Sequence, residues 1–94
     1  MEEVLHRLST LFQALANGIR LLILTELQEG PETVSDLADR VNRPHNAVSR
    51  HLRILRDNDL VESESEGRNR VYDIKRPELV EACLTLRSYL ERSD

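Results

Sequence analysis

The sequence predicts a mainly α-helical domain: five helices, with a two-stranded β-ribbon between the fourth and the fifth. Three observations carry that prediction. Apolar residues recur at helical spacing in four successive stretches, each bounded by residues suited to start or stop a helix. From Leu60 to Ile74 the spacing shortens to strand-like alternation around a glycine. From Pro77 onward a helical seam resumes. The length of 94 residues fits one domain, 1–94, with a small core that a symmetric partner would help to stabilise.

The first helix, over about 3–16, carries Val4, Leu5, Leu8, Leu11, Phe12 and Leu15 in one wide apolar stripe. Asn17-Gly18 breaks it, and the Asn17 side chain can cap the helix that follows. That second helix, from about Ile19 to Gln28, is apolar almost all round through Ile19, Leu21, Leu22, Ile23, Leu24 and Leu27. It is therefore expected to be the central buried helix. Glu29-Gly30-Pro31 stops it, with Gly30 suited to a left-handed position. Thr33, followed three residues later by Asp36, opens a short third helix lined by Val34, Leu37, Ala38 and Val41. It ends at Asn42, a residue that tolerates positive φ.

The fourth helix is expected to begin near Pro44, whose fixed φ suits a first turn, and to end near Asn58. Val48, Leu52 and Leu55 form its dry stripe, while His45, Asn46, Ser49, Arg50, Arg53 and Arg56 fall mainly on the other side. Two strands follow, Leu60–Ser65 and Arg70–Ile74, with Glu66-Gly67-Arg68-Asn69 as the hairpin tip. The last helix, 77–92, places Leu79, Cys83, Leu86 and Leu90 along a coiled-coil-like seam, which Val80 and Leu84 extend. A terminal helix with such a seam calls for a partner.

The formal net charge is -4, which argues against a generic polybasic binder. The distribution says more than the sum. Between Asp39 and Asp57 stand Arg40, Arg43, Arg50, Arg53 and Arg56, with His45 and His51 and no acid. A second basic group, Arg68, Arg70, Lys75 and Arg76, stands against Asp73. A positive face on an acidic body can still meet phosphates. Taken alone, such a charge run equally describes a solvated helix face.

The third and fourth helices are joined by a very short turn at Asn42-Arg43. A helix-turn-helix of this kind can lay its second helix in the major groove of duplex DNA, and a ribbon beside it makes the arrangement a winged helix-turn-helix. Residues at the start of that helix would then reach base edges: His45, Asn46, Ser49 and Arg50. Asn pairs with adenine through two bonds and Arg with guanine. Arg43, Arg53 and Arg56 suit phosphates, and Arg68 and Arg70 of the ribbon suit a phosphate or the minor groove. For each arginine the alternative is a surface salt bridge to a nearby acid.

Other classes of function lack their residues. The chain has no Gly-rich phosphate loop, no nucleophile motif and no metal-ligand cluster, so neither an enzyme nor a cofactor is expected. Ser49 and His51 lie two apart on a helix and do not face each other. No apolar run reaches the roughly eighteen residues of a membrane span, and the N-terminus does not read as a signal peptide, so a soluble cytoplasmic protein is expected. A basic face could instead dock an acidic protein partner, which makes a protein-interaction module the rival reading.

The string itself adds to this. Leu11-Phe12-Gln13-Ala14-Leu15-Ala16-Asn17-Gly18-Ile19-Arg20-Leu21-Leu22-Ile23-Leu24 resembles the opening of the ArsR/SmtB family of bacterial and archaeal repressors. Val34-Ser35-Asp36-Leu37-Ala38 resembles that family's third helix, and the run from Ala47 to Arg56 its recognition helix. Leu60-Val61, Gly67-Arg68 and Val71-Tyr72 resemble its wing. The resemblance implies a homodimeric repressor acting on an imperfect palindrome, its first and last helices pairing across a two-fold axis. The seams Leu8-Leu11-Leu15 and Leu79-Cys83-Leu86-Leu90 agree with that pairing.

The departures are informative. Gly18 stands where the family often has proline, and Pro44 where a serine usually caps the recognition helix. Many relatives bind metals through a Cys-Val-Cys-Asp-like run, but here the run is Thr33-Val34-Ser35-Asp36. Hydroxyls are poor ligands for soft metals. Others use histidines on the last helix, and Arg76 to Arg92 contains none; of the three histidines, His45 and His51 belong to the DNA-facing side and His6 alone makes no site. No metal is expected, and any small-molecule or redox effector is left unassigned. The single cysteine, Cys83, reads either as a small buried residue of the seam or as a thiol switch.

Overall fold

The computed structural model describes residues 1–92. Its elements run α1 (Glu2–Leu15), α2 (Gly18–Leu27), β1 (Glu32–Thr33), α3 (Val34–Val41), α4 (His45–Asp57), β2 (Val61–Glu66), β3 (Asn69–Ile74) and α5 (Pro77–Arg92). The five helices stand where periodicity puts them, with ends shifted by a residue or so.

The ribbon is a three-stranded antiparallel sheet of order β1-β3-β2 rather than two strands. β1 is the added strand, pairing Glu32 with Tyr72 and Thr33 with Val71. Two residues are too few to display alternation, and Thr33 reads from sequence only as a helix cap. It does both, because its side chain accepts a hydrogen bond from Asp36 N at 3.1 Å. The hairpin tip is also tighter than expected. Glu66 pairs with Asn69, which leaves a two-residue loop of Gly67 and Arg68. Gly67 takes φ 64, as the first central position of a tight hairpin turn requires.

Local signals set the helix boundaries. Asn17 Oδ1 accepts from Ile19 N at 3.0 Å and Arg20 N at 3.1 Å, capping α2. Asn42 ends α3 at φ 53, and Arg43 N reaches back to Ala38 O at 3.1 Å. Pro44 occupies the cap position of α4 rather than its first turn and makes no side-chain cap bond.

The core is built from apolar residues of every helix and from Leu60, Val61 and Tyr72 of the sheet region, and among the described residues no polar side chain is buried in it. α2 is central, with Ile23, Leu24 and Leu27 buried, but it is not enclosed all round, since Leu22 is exposed. On α4, Val48, Leu52 and Leu55 are fully buried, as the stripe predicts.

The terminal helices differ from expectation in detail. Val80 and Leu84 do not extend the α5 seam: they turn inward to the core while Leu86 and Leu90 stay 64% and 63% exposed. Val80 and Leu84 lie about a third of a turn round the helix from that seam, enough to place them on the other side of its edge. Leu15 likewise spends most of its surface on the chain's own core, where it is 7% exposed, whereas Val4, Leu5, Leu8 and Phe12 of α1 are exposed. No single helix is long and apolar enough to cross a membrane; α1 and α2 pass such a test only as a pair bent by 85°.

Candidate nucleic-acid interface

The dry stripe of α4 decides what its other side does. With Val48, Leu52 and Leu55 held in the core, helical geometry turns His45, Asn46, Ser49, Arg50, Arg53 and Arg56 outward, and all six are exposed. None of these six side chains makes a hydrogen bond or ion pair with the described residues. The salt-bridge alternative therefore fails on α4, and three guanidinium groups face water from one helix side.

Elsewhere that alternative holds. Arg40 is paired with Glu32 at 3.2 Å and with Glu26 at 3.9 Å. Lys75 and Arg76 both bind the carboxylate of Asp59 across the start of α5, which holds the Asp59 carboxyl below its usual range and the Arg76 guanidinium above its own. These three cations belong to the two basic runs of the sequence but are held in ion pairs where they stand. Arg43 is exposed, yet its Nη1 donates to Val41 O and Asn42 O at 3.1 Å each, closing the turn rather than reaching outward.

His51 departs from the sequence reading, which placed it with His45 on the outward face. It is half-buried, with Nδ1 3.2 Å from Arg20 Nη1 on α2. Burial, and then the cations Arg20 and Arg50, hold its pKa below the ordinary histidine value. The position lies at the edge of the stripe, one residue from buried Leu52, and the amino-acid type alone does not say which side of that edge it takes.

The sheet brings the wing to the start of α4. Arg68 sits in the hairpin turn without a partner among the described residues, and Arg70 Nη1 donates to Ser63 Oγ at 2.9 Å. His45, Arg68 and Arg70 line a single depression with Thr33, Val34 and Ser35. The opposite face of the wing is acidic: Glu62 lies across from Asp73, with Glu64 and Glu66 following on the same side of β2. The period-two spacing of these glutamates is the signal that sequence reasoning passed over.

Elsewhere, α1 and α5 enclose an apolar groove whose walls include Leu8, Leu11, Leu15, Leu79, Cys83 and Leu86. Phe12 and Leu21 also line it, two residues not singled out from the seams. Leu90 lies beyond the groove on the same helix, exposed. Cys83 is half-buried as a free thiol. Among the described residues no three His, Cys, Asp or Glu side chains are grouped to hold a metal ion.

The profile of a helix-turn-helix domain family matches residues 15–64. The transcriptional regulator NmtR of Mycobacterium tuberculosis is 43% identical over 68 residues, covering 72% of this chain and 57% of NmtR. The arsenical resistance operon repressor of Bacillus subtilis is 36% identical over 78 residues, covering 82% of this chain and 74% of that repressor. The chain belongs to the ArsR/SmtB family.

Structure agrees with sequence on this. The solution structure of a homodimeric winged helix-turn-helix DNA-binding domain from Mycobacterium bovis superposes with a TM-score of 0.87 at 26% identity, covering 98% of this chain and 85% of that one. The chain spans little more than half the length of the first curated relatives, 57% of NmtR and 52% of an SmtB repressor. Within the ArsR/SmtB framework, the positions that resemble a cysteine pair are taken by Thr33, whose hydroxyl is spent on capping α3, and by exposed Ser35.

Proposed function

We propose that this ArsR/SmtB chain is a sequence-specific transcriptional repressor that binds duplex DNA as a homodimer. The observation that carries the reading is the outward side of α4: exposed, arginine-rich, free of partners among the described residues and backed by core residues. In this reading Asn46 and Arg50 bond base edges, with His45 and Ser49 beside them. Arg53 and Arg56 meet phosphates and set register, while Arg43 braces the turn that places them. Arg68 and Arg70 follow the backbone or the minor groove next to the recognition helix.

Two copies pair through the apolar faces of α1 and α5, where Leu8, Leu11, Leu79, Cys83, Leu86 and Leu90 lie, with Leu15 at the margin. Cys83 then serves as a small residue of the dimer seam. The names of the relatives support repression, and the Mycobacterium bovis domain supports the homodimer. The reading includes no enzymatic step and places the protein in the cytoplasm with the DNA.

Selection of bound fragments from random-sequence duplex DNA tests this directly. The expected product is an inverted repeat with half-site centres about 10 base pairs apart. Salt-dependent capture of an acidic protein with no enrichment of any duplex would replace DNA with a protein partner.

A further inference from the structure

Arg20 lies in the first turn of α2, and its guanidinium makes contacts with two other helices. Nε donates to Ala14 O at 2.6 Å, and Nη2 donates to Gln13 O at 3.2 Å. Both carbonyls belong to the last turn of α1, which carries no basic residue of its own. A cation there answers the negative pole of the helix end and the acceptors that the missing next turn leaves open. Nη1 lies 3.2 Å from Nδ1 of His51, in the middle of α4. Arg can only donate, so this contact is a hydrogen bond when the ring is neutral with its proton on Nε2.

The planar guanidinium thus joins the end of α1 and the middle of α4 through one rigid group. α1 and α4 each pack against α2, and Arg20 adds a polar tie between them. We propose that Arg20 and His51 are positioning residues for DNA recognition: the guanidinium links the helix that meets the second copy to the helix that meets the duplex, and so fixes the direction in which Asn46 and Arg50 are presented. The assignment rests on the DNA-binding reading above.

The tie is also sensitive to protonation. The charged groups acting on the ring are Arg20 from α2 and Arg50 from α4 itself; α3 and β2, which also pack on α4, contribute none. The α1 groups at the guanidinium are neutral carbonyls. A proton on Nδ1 turns the acceptor into a donor and sets two cations side by side, so the tie opens as the ring takes up a proton on acidification.

The test compares affinity for a duplex enriched from the random pool with affinity for a scrambled duplex of equal length, at about pH 7.5 and about pH 5.5. The readout is the ratio of the two affinities. Wild type is expected to lose about fivefold of that ratio on acidification. His51→Gln, whose amide oxygen accepts at either pH, is expected to hold the ratio nearly constant. His51→Leu is expected to show the low ratio at both. In an Arg20→Gln background, His51→Leu should cost nothing further.

An equal cost of His51→Leu in both backgrounds would mean that the ring touches DNA itself, and the tie would be overturned while the DNA reading stood. A random pool yielding no enriched duplex would overturn both. Thermal unfolding of each variant checks the fold. Arg20→Lys replaces Arg20→Gln if the latter unfolds, because a single ammonium cannot serve α1 and His51 together.

Discussion

Arg40 and Arg50 look alike in the sequence and end in different circumstances. Arg40 is spent on Glu32 and Glu26, while Arg50 has no ion pair among the described residues. Periodicity told which side of α4 is dry, and so which arginines face out. It could not tell that Glu32, held in place by an unforeseen strand, would neutralise Arg40, or that Arg20 would draw His51 off the outward face. Both partnerships cross between elements, and one-dimensional spacing carries no such information. Arg50→Ala is expected to cost about 1–3 kcal/mol on an enriched duplex and much less on a scrambled one, whereas Arg53→Ala weakens both alike. Fluorescence anisotropy titrations on the two duplexes separate these cases, and equal losses for Arg50→Ala would remove its base-reading role. Asp59 supports a pH prediction. Its carboxyl is held below the ordinary aspartate value by hydrogen bonds from Lys75 and Arg76. The folded state therefore binds the proton less readily than the unfolded chain, and the contribution to stability is full above the ordinary value and lost as pH falls through the lowered value of the folded state. Denaturant unfolding at a series of acid pH values should show a shallower decline for Asp59→Asn than for wild type.

Among the elements, those with explicit punctuation were legible. Asn17, Thr33 and Asn42 mark helix ends by chemistry that depends only on neighbours in the chain, and each does in the structure what its type predicts. Asn17→Ala removes the acceptor for two backbone N–H groups of α2 and is expected to cost about 1 kcal/mol, read as a lower thermal midpoint with the same fold. β1 was not legible because its pairing is wholly non-local: Glu32 and Thr33 become a strand only because Tyr72 and Val71 come alongside. The turn at Gly67 was placed correctly but drawn too wide. The choice between a two-residue and a four-residue loop depends on whether Glu66 and Asn69 pair, which the sheet decides.

For the molecule as a whole, the chain is finished on one side and unfinished on the other. Its core closes without a buried polar side chain among the described residues, yet Val4, Leu5, Leu8 and Phe12 of α1 and Leu86 and Leu90 of α5 remain in water. Sequence patterning announced apolar seams on both terminal helices but assigned Val80, Leu84 and Leu15 to them. These three are claimed by the chain's own core, a division between intramolecular and intermolecular burial that a stripe of leucines does not reveal. Replacing Phe12 and Leu86 together by Glu should place charge in the apolar face without entering the core. The expected outcome is a folded monomer by sedimentation, with binding to a two-half-site duplex lost. A dimer of unchanged mass would exclude this face as the contact between copies.

Thr33 has a consequence of its own. It is at once the last ladder residue of β1 and the cap of α3, so no slack residue separates sheet from helix. The base of the wing is welded to the helix-turn-helix, and only the tip around Gly67 is left to flex when it meets a curved groove. Amide exchange at Val71 and Tyr72 should accordingly keep pace with that of α3, while Arg68 exchanges on its own faster clock.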